Sequence, residues 1–196
     1  KGKPLYKYTL DAALNSKKIN HTIITTDIPS IYKIKEKKLT ILKRHKALCE
    51  DKTETEPVIL DVINKLKKKF IIKNIVLLQP TSPFRNANDI DNAIKEFEKK
   101  KYDSLFSMVK RKILIWSYIK KLKPLNYKLK SRMKNQDKNK ILIENGAIFV
   151  FNKKKFLKEK NRLFGKIGTF AMCQISSIEL DNDDDLKLVK RLSNFL

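Results

Sequence analysis

Soft metal ligands are few: the chain has two cysteines and two histidines. Cys49 and Cys173 stand far apart and form no C-x-x-C pair, so a disulfide framework is not expected. Two free thiols in a reducing cytoplasm fit the count. His21 and His45 have no Cys or His partner at zinc-site spacing, which argues against a structural zinc. Long apolar runs are also lacking. None reaches the ~18 residues that a membrane span requires, and no secretory signal opens the sequence. An initiator Met is missing, and the sequence starting at Lys1 is expected to be cut at the front. No internal repeat and no disordered tail are visible.

Positive charge, by contrast, is abundant: Lys and Arg number 45 against 21 Asp and Glu, for a formal net charge of +24. Such a balance fits nucleic-acid binding or a lysine-rich solvated surface. The lysines are scattered, as in Lys17-Lys18, Lys67-Lys68-Lys69, Lys99-Lys100-Lys101 and Lys153-Lys154-Lys155. A nucleic-acid stripe would gather on one element, so a solvated surface that attracts anionic substrates is the better reading.

Helical and strand patterns alternate, which points to an α/β sheet protein. Helix is expected at Tyr6–Ser16, from Pro57 onward, around Ile90, Ala93, Ile94 and Phe97, at Lys153–Lys160 and at Asp183–Phe195. Asp89 and Asp91 fall in the first turn of the third, where the helix dipole favours them. Strand is expected at His21–Thr26, Thr40–Leu42, Ser104–Val109, Ala147–Phe151 and Phe170–Ile175. The run Asn74–Gln79 has the continuous apolar character of a central parallel strand covered on both faces. Residues 110–140 mix Lys with Ile, Leu, Trp116 and Tyr118 and read as an excursion from the main sheet.

Three clusters carry chemistry. Gln79-Pro80-Thr81-Ser82-Pro83-Phe84-Arg85 follows the most apolar strand, where open α/β sheets place ligands. Its prolines stiffen the loop, and Gln79, Thr81, Ser82 and Arg85 supply donors suited to a polyhydroxylated acid. An ordinary strand-to-helix connection is the other reading. Glu144-Asn145-Gly146 by itself fits a plain turn, or a tight approach of backbone to ligand. The third cluster is acidic. Glu179 and Asp181 are two apart, and on an extended segment they share a side, which suits one Mg²⁺. Asp183, Asp184 and Asp185 instead fit the first turn of the closing helix, with Asn182 or Asp183 as its N-cap.

Together these segments resemble the acylneuraminate cytidylyltransferases, the CMP-N-acylneuraminate synthetases. Lys3-Pro4-Leu5 resembles that family's G-K-P-L, Thr25-Thr26-Asp27 its S-T-D, and Arg44 with Leu48 and Asp51 its R-P-x-x-L-x-x-D. Leu77 through Arg85 matches L-L-Q-P-T-S-P-L-R almost letter for letter. Glu144 through Ile148 matches E-N-G-A-I, Arg162 through Gly165 matches R-L-F-G, and Ser177 through Asp181 resembles S-I-D-I-D. The resemblance implies a Rossmann-like, mostly parallel sheet flanked by helices, in a single nucleotidyltransferase-type domain spanning 1–196. It implies a homodimer with residues 110–140 as the dimerising arm. It also implies transfer of CMP from CTP to a sialic-acid-like nonulosonic acid with release of diphosphate. Arg44, Thr26 and Asp27 would then serve the nucleotide. Gln79, Thr81, Ser82, Asn145 and Phe164 would serve the sugar acid, and Asp181 with Glu179 would hold catalytic Mg²⁺.

Three departures from the family pattern bear on this expectation. The phosphate-gripping loop of the family lies upstream of G-K-P-L and so falls outside this sequence, which by itself is expected to be inactive. The first carboxylate of D-x-D is Glu179. Where many relatives carry Arg before the Gln-Asp that matches Gln136-Asp137, this chain has Asn135, leaving Arg132 or Lys134 to meet the sugar carboxylate. The neuraminic, legionaminic and pseudaminic acids remain open as substrates, with the shorter Kdo least favoured. A non-catalytic or truncated homologue and a basic nucleic-acid-binding protein are the competing readings.

Overall fold

A computed structural model describes residues 2–130 and 141–193. In chain order the elements are α1 (Leu5–Asn15), β1 (Thr22–Thr26), β2 (Leu39–Lys43), α2 (Thr55–Leu66), β3 (Asn74–Leu77), α3 (Ala87–Lys100) and β4 (Ser104–Arg111). There follow β5 (Trp116–Ser117), β6 (Lys123–Pro124), β7 (Ile141–Asn152), α4 (Lys153–Glu159), β8 (Ile167–Ala171) and α5 (Asp183–Leu192).

The principal sheet has the order β3-β7-β4-β8. β4 and β8 are parallel, and β7 runs antiparallel to both β3 and β4. Three of the four strands therefore share one direction, and β7 opposes them. β1 and β2 form a separate parallel ladder. Alternate residues of β7 point to opposite faces, as the pleat requires. Ile148 and Val150 join one apolar core with Ala12 of α1 and Ile90, Ala93, Ile94 and Phe97 of α3. Phe149 and Phe151 join the other, with Ile59 and Ile63 of α2 and Phe156 of α4. Helices thus cover both faces of a parallel-rich sheet, the expected Rossmann-like α/β arrangement.

Two expectations about strands change. Asn74–Gln79 is not a central parallel strand: among the described residues β3 ends the four-stranded ladder and pairs antiparallel with β7. Its unbroken apolarity has another cause. Val76 and Leu78 pack into the α1–α3 core while Ile75 and Leu77 pack into the α2–α4 core. Two covered faces, not position in the sheet, set the pattern. The strand expected at Phe170–Ile175 runs instead over Ile167–Ala171. It includes Gly168, which interrupts the apolar signal because the Tyr102 ring lies where a side chain would sit.

Of the expected excursion at 110–140, Lys110 and Arg111 still pair with β7 as the end of β4, and residues 131–140 lie outside the described residues. Between them the chain carries the small β5–β6 ladder, with Trp116, Tyr118, Ile119, Leu122, Leu125 and Leu129 exposed. Among the described residues no helix is long and apolar enough to cross a membrane.

Of the two aspartates expected in the first turn of α3, only Asp89 lies there, and Asp91 falls one turn further on. Asp89 completes a capping box with Asn86. Asp91 is buried and faces the end of α1, where it accepts from the Ser16 hydroxyl at 2.5 Å and from the Lys17 and Lys18 amides at 3.1 and 3.0 Å. Burial pushes this carboxyl up, but the hydrogen bonds, Ser16 first, outweigh it and hold it below its ordinary value. A depressed carboxyl contributes stability above its unfolded value that is lost as pH falls through its folded value. Asp91→Ala should therefore cost about 1–3 kcal/mol at pH 7. The gap from wild type should narrow as pH falls below the ordinary carboxylate range, as read from urea unfolding at neutral and acid pH.

Candidate active site

The site starts from an irregularity in β7. Phe106 pairs with Phe149 and Met108 with Glu144, so residues 145–148 stand opposite the single Ser107. A bulge of this kind leaves ladder groups without strand partners. The Ser107 hydroxyl replaces them: it donates to Asn145 Oδ1 at 2.6 Å and accepts from the Ile148 amide at 2.8 Å. Asn145 is buried, and its amide nitrogen points to Met172 Sδ at 3.4 Å.

Gly146 sits in this bulge with φ of +62°. A Cβ there would lie 2.5 Å from both Gln79 Oε1 and Glu179 Oε1. The glycine of Glu144-Asn145-Gly146 thus makes room for two side chains from distant segments to converge. Thr81 joins them, its hydroxyl 3.3 Å from Glu179 Oε1. The backbone closes the group, since the Leu180 amide donates to the Thr81 carbonyl at 2.8 Å. Burial pushes the Glu179 carboxyl up, Asp181 pushes it further, and Glu144 and Asp185 add to the effect against the Thr81 hydrogen bond. Negative charge is concentrated here in a strongly basic protein. Among the described residues no ready-made cage of three ligating side chains exists, but a magnesium ion needs only one or two carboxylates.

The rest of the acidic segment caps α5. Asn182 accepts from the Asp184 and Asp185 amides, both at 3.0 Å. Asp185 Oδ2 accepts in return from the Asn182 and Asp181 amides at 3.1 and 3.0 Å. Asn182 is therefore the N-cap and Asp185 closes the box, while Asp184 pairs with Lys187 at 2.8 Å.

Arg85 points inward. It is 2% exposed. Nη1 donates to the Gln79 carbonyl at 3.1 Å and to the Ala147 carbonyl at 2.7 Å, and Nη2 donates to Thr9 Oγ1 at 2.6 Å. Neither Arg85 nor Thr9 carries a sequence signal that distinguishes a buried clasp from a surface donor. Ser82, expected to line the pocket, is 1% exposed with its hydroxyl unpartnered.

Arg44, Thr26 and Asp27 meet elsewhere, at the ends of β1 and β2. Arg44 Nη2 donates to the Thr25 carbonyl at 2.7 Å, and its amide to the Thr26 carbonyl at 2.8 Å. Asp27 is exposed beside Cys49. Burial and then Asp27 push the Cys49 thiol up, against Arg44. Phe164 is buried in the α2–α4 core. Its amide and carbonyl both bond Ser104 Oγ, at 2.9 and 2.8 Å. Arg132, with Lys134 and Asn135, lies outside the described residues. The two histidines have structural partners: His21 is hydrogen-bonded to Thr40 and packs on Phe70, and His45 caps a short 3₁₀ turn. Both cysteines are free.

Comparison with known proteins gives this geometry a family. The chain is 28% identical over 190 residues to N-acylneuraminate cytidylyltransferase A of Danio rerio, covering 94% of this chain and 43% of that protein. It thus spans less than half the length of that relative. Against the CMP-N,N'-diacetyllegionaminic acid synthase of Legionella pneumophila the identity is 26% over 200 residues, covering 97% of this chain and 85% of the synthase. A solved CMP:2-keto-3-deoxy-manno-octonic acid synthetase complexed with CTP shares the fold, with a TM-score of 0.66, 14% identity, and coverage of 98% of this chain and 88% of that one. The family profile described as Cytidylyltransferase matches residues 1–193, and with the loop, glycine and acidic segment assembled as described, this chain belongs to the cytidylyltransferase family.

Proposed function

We propose that the protein transfers CMP from CTP to a sialic-acid-like nonulosonic acid, with diphosphate as the second product. The observation that carries this reading is the convergence of Gln79, Thr81 and Glu179 over Gly146. An amide, a hydroxyl and a carboxylate at the end of a strand suit a sugar acid that offers both hydroxyl and carboxylate groups.

In the proposed reaction the anomeric hydroxyl of the sugar acid attacks the α-phosphorus of CTP. A new P–O bond forms, the bond from the α-phosphorus to the α,β-bridging oxygen breaks, diphosphate leaves with that oxygen, and the hydroxyl proton passes to solvent water. Both reactants are anions, so the protein must position them and offset their repulsion. Gln79 orients the sugar acid from the end of β3, and Thr81 holds Glu179 in place. Arg44, with Thr26 and Asp27, serves the nucleotide. Glu179 and Asp181 would hold Mg²⁺, and the mutual repulsion of carboxylates at this spot fits a resident cation. Bound there, the ion would neutralise phosphate charge.

The exposed apolar side chains of the β5–β6 ladder support a homodimer formed through the 110–140 arm. Two free thiols suit a cytoplasmic enzyme. The scattered lysines provide a field for anionic substrates without a nucleic-acid stripe.

The deciding experiment is diphosphate release by the full-length protein with a nonulosonic acid and either CTP or ATP. Release with CTP only is expected, and equal release with both would overturn the proposal. Metal binding has its own readout. At ten times its dissociation constant, Mg²⁺ should stabilise the wild type by about 1.4 kcal/mol, or roughly 3–5 °C in melting temperature. Asp181→Asn should lose both this shift and turnover. Asp184→Asn should keep both, because Asp184 is engaged with Lys187.

A further inference from the structure

Among the described residues Arg85 is the most buried charged side chain. Burial lowers its pKa to about 10, with Asp89 opposing the shift, so it remains a cation at neutral pH. A buried charge is normally paired. Here the partners at hydrogen-bond distance are two carbonyls and one hydroxyl, none of them charged. What these acceptors share is location. The Gln79 carbonyl lies two residues beyond the end of β3, and the Ala147 carbonyl follows Gly146 in the β7 bulge. Thr9 lies on α1, and its hydroxyl is also 3.5 Å from the Gln79 carbonyl.

We propose that Arg85 is a positioning residue that fixes the spacing between the Gln79 and Gly146 walls and thereby sets affinity for the sugar acid. The inference deepens the cytidylyltransferase reading and rests on it for its kinetic consequence. The need for arginine is geometric. A guanidinium offers several donors in a rigid plane, so one group reaches both carbonyls and the threonine. A lysine ammonium keeps the charge but not the fork. Gln79 Oε1 must share the space over Gly146 with Glu179 Oε1, and a shift of either wall changes which side chain fills it. Neither wall has another buried cation to hold it among the described residues.

Arg85→Lys is the informative variant, because it preserves charge and most of the volume; Thr9→Val removes one acceptor and tests the clasp if Arg85→Lys folds poorly. Two measurements decide the matter in the full-length protein. The first is amide hydrogen exchange without substrates. Arg85→Lys, or Thr9→Val more weakly, should speed exchange at residues 79–82 and 145–148 while residues 59–63 of α2 keep their protection. Unchanged or uniformly raised exchange would overturn the clasp. The second is steady-state kinetics. The KM for the sugar acid should rise about tenfold to a hundredfold, consistent with loss of one or two hydrogen bonds, while the KM for CTP stays within about twofold. In a Gln79→Ala background Arg85→Lys should add little, since its effect runs through that wall. Additive losses, or equal rises in both KM values, would overturn the positioning role. A wild-type protein that releases no diphosphate from CTP would overturn the cytidylyltransferase reading and with it the kinetic consequence, and hydrogen exchange would still decide the clasp.

Discussion

One serine hydroxyl allows the central strand to be irregular. Without Ser107, the bulge at 145–148 would leave the Ile148 amide unpaired inside the protein, a loss of about 1–3 kcal/mol, and Asn145 Oδ1 would lose its 2.6 Å donor. With it, the strand keeps its pairing on both sides of the defect. The apolar cores anchor the far half of β7 at Phe149 and Phe151, while its near half projects Gly146 toward the end of β3. Asn145 fits this account better as a plug than as a ligand group, since Ser107 and Met172 occupy its amide.

Much of the site was legible because the residues that form it are chemically distinctive and adjacent in sequence. Gln79 through Arg85 announces a stiff, donor-rich loop after an apolar strand, and the acidic segment divides into a carboxylate pair and a helix cap. What stayed hidden depends on direction. Arg85 reads as one donor among several, yet it turns inward. Ser82 sits beside Thr81, yet its hydroxyl is buried. The spacing of β3 could not reveal that its neighbour runs antiparallel, because two covered faces produce the same apolar run at a sheet's end as at its centre. Gly146 was visible as a tight place, but the groups that crowd it come from about 70 residues before and 30 after, a pairing that only the fold brings about.

The charge distribution is uneven in a useful way. Lysines cover the surface, while Asp181, Glu144 and Asp185 act on Glu179 at the convergence point. A uniformly basic surface draws in anions but would hold them anywhere. A local acidic patch repels bare anions, so the field of the whole protein and that of this spot differ in sign.

The vacancy left by the missing side chain of Gly146 has an evolutionary consequence. Gln79 and Glu179 draw on one shared volume, so the size of each limits the other. Where the family pattern has aspartate, this chain has the longer glutamate, and the extra methylene takes space that a substrate or a rotamer of Gln79 would otherwise use. Replacements at these two positions should therefore be linked, one side chain shortening as the other lengthens.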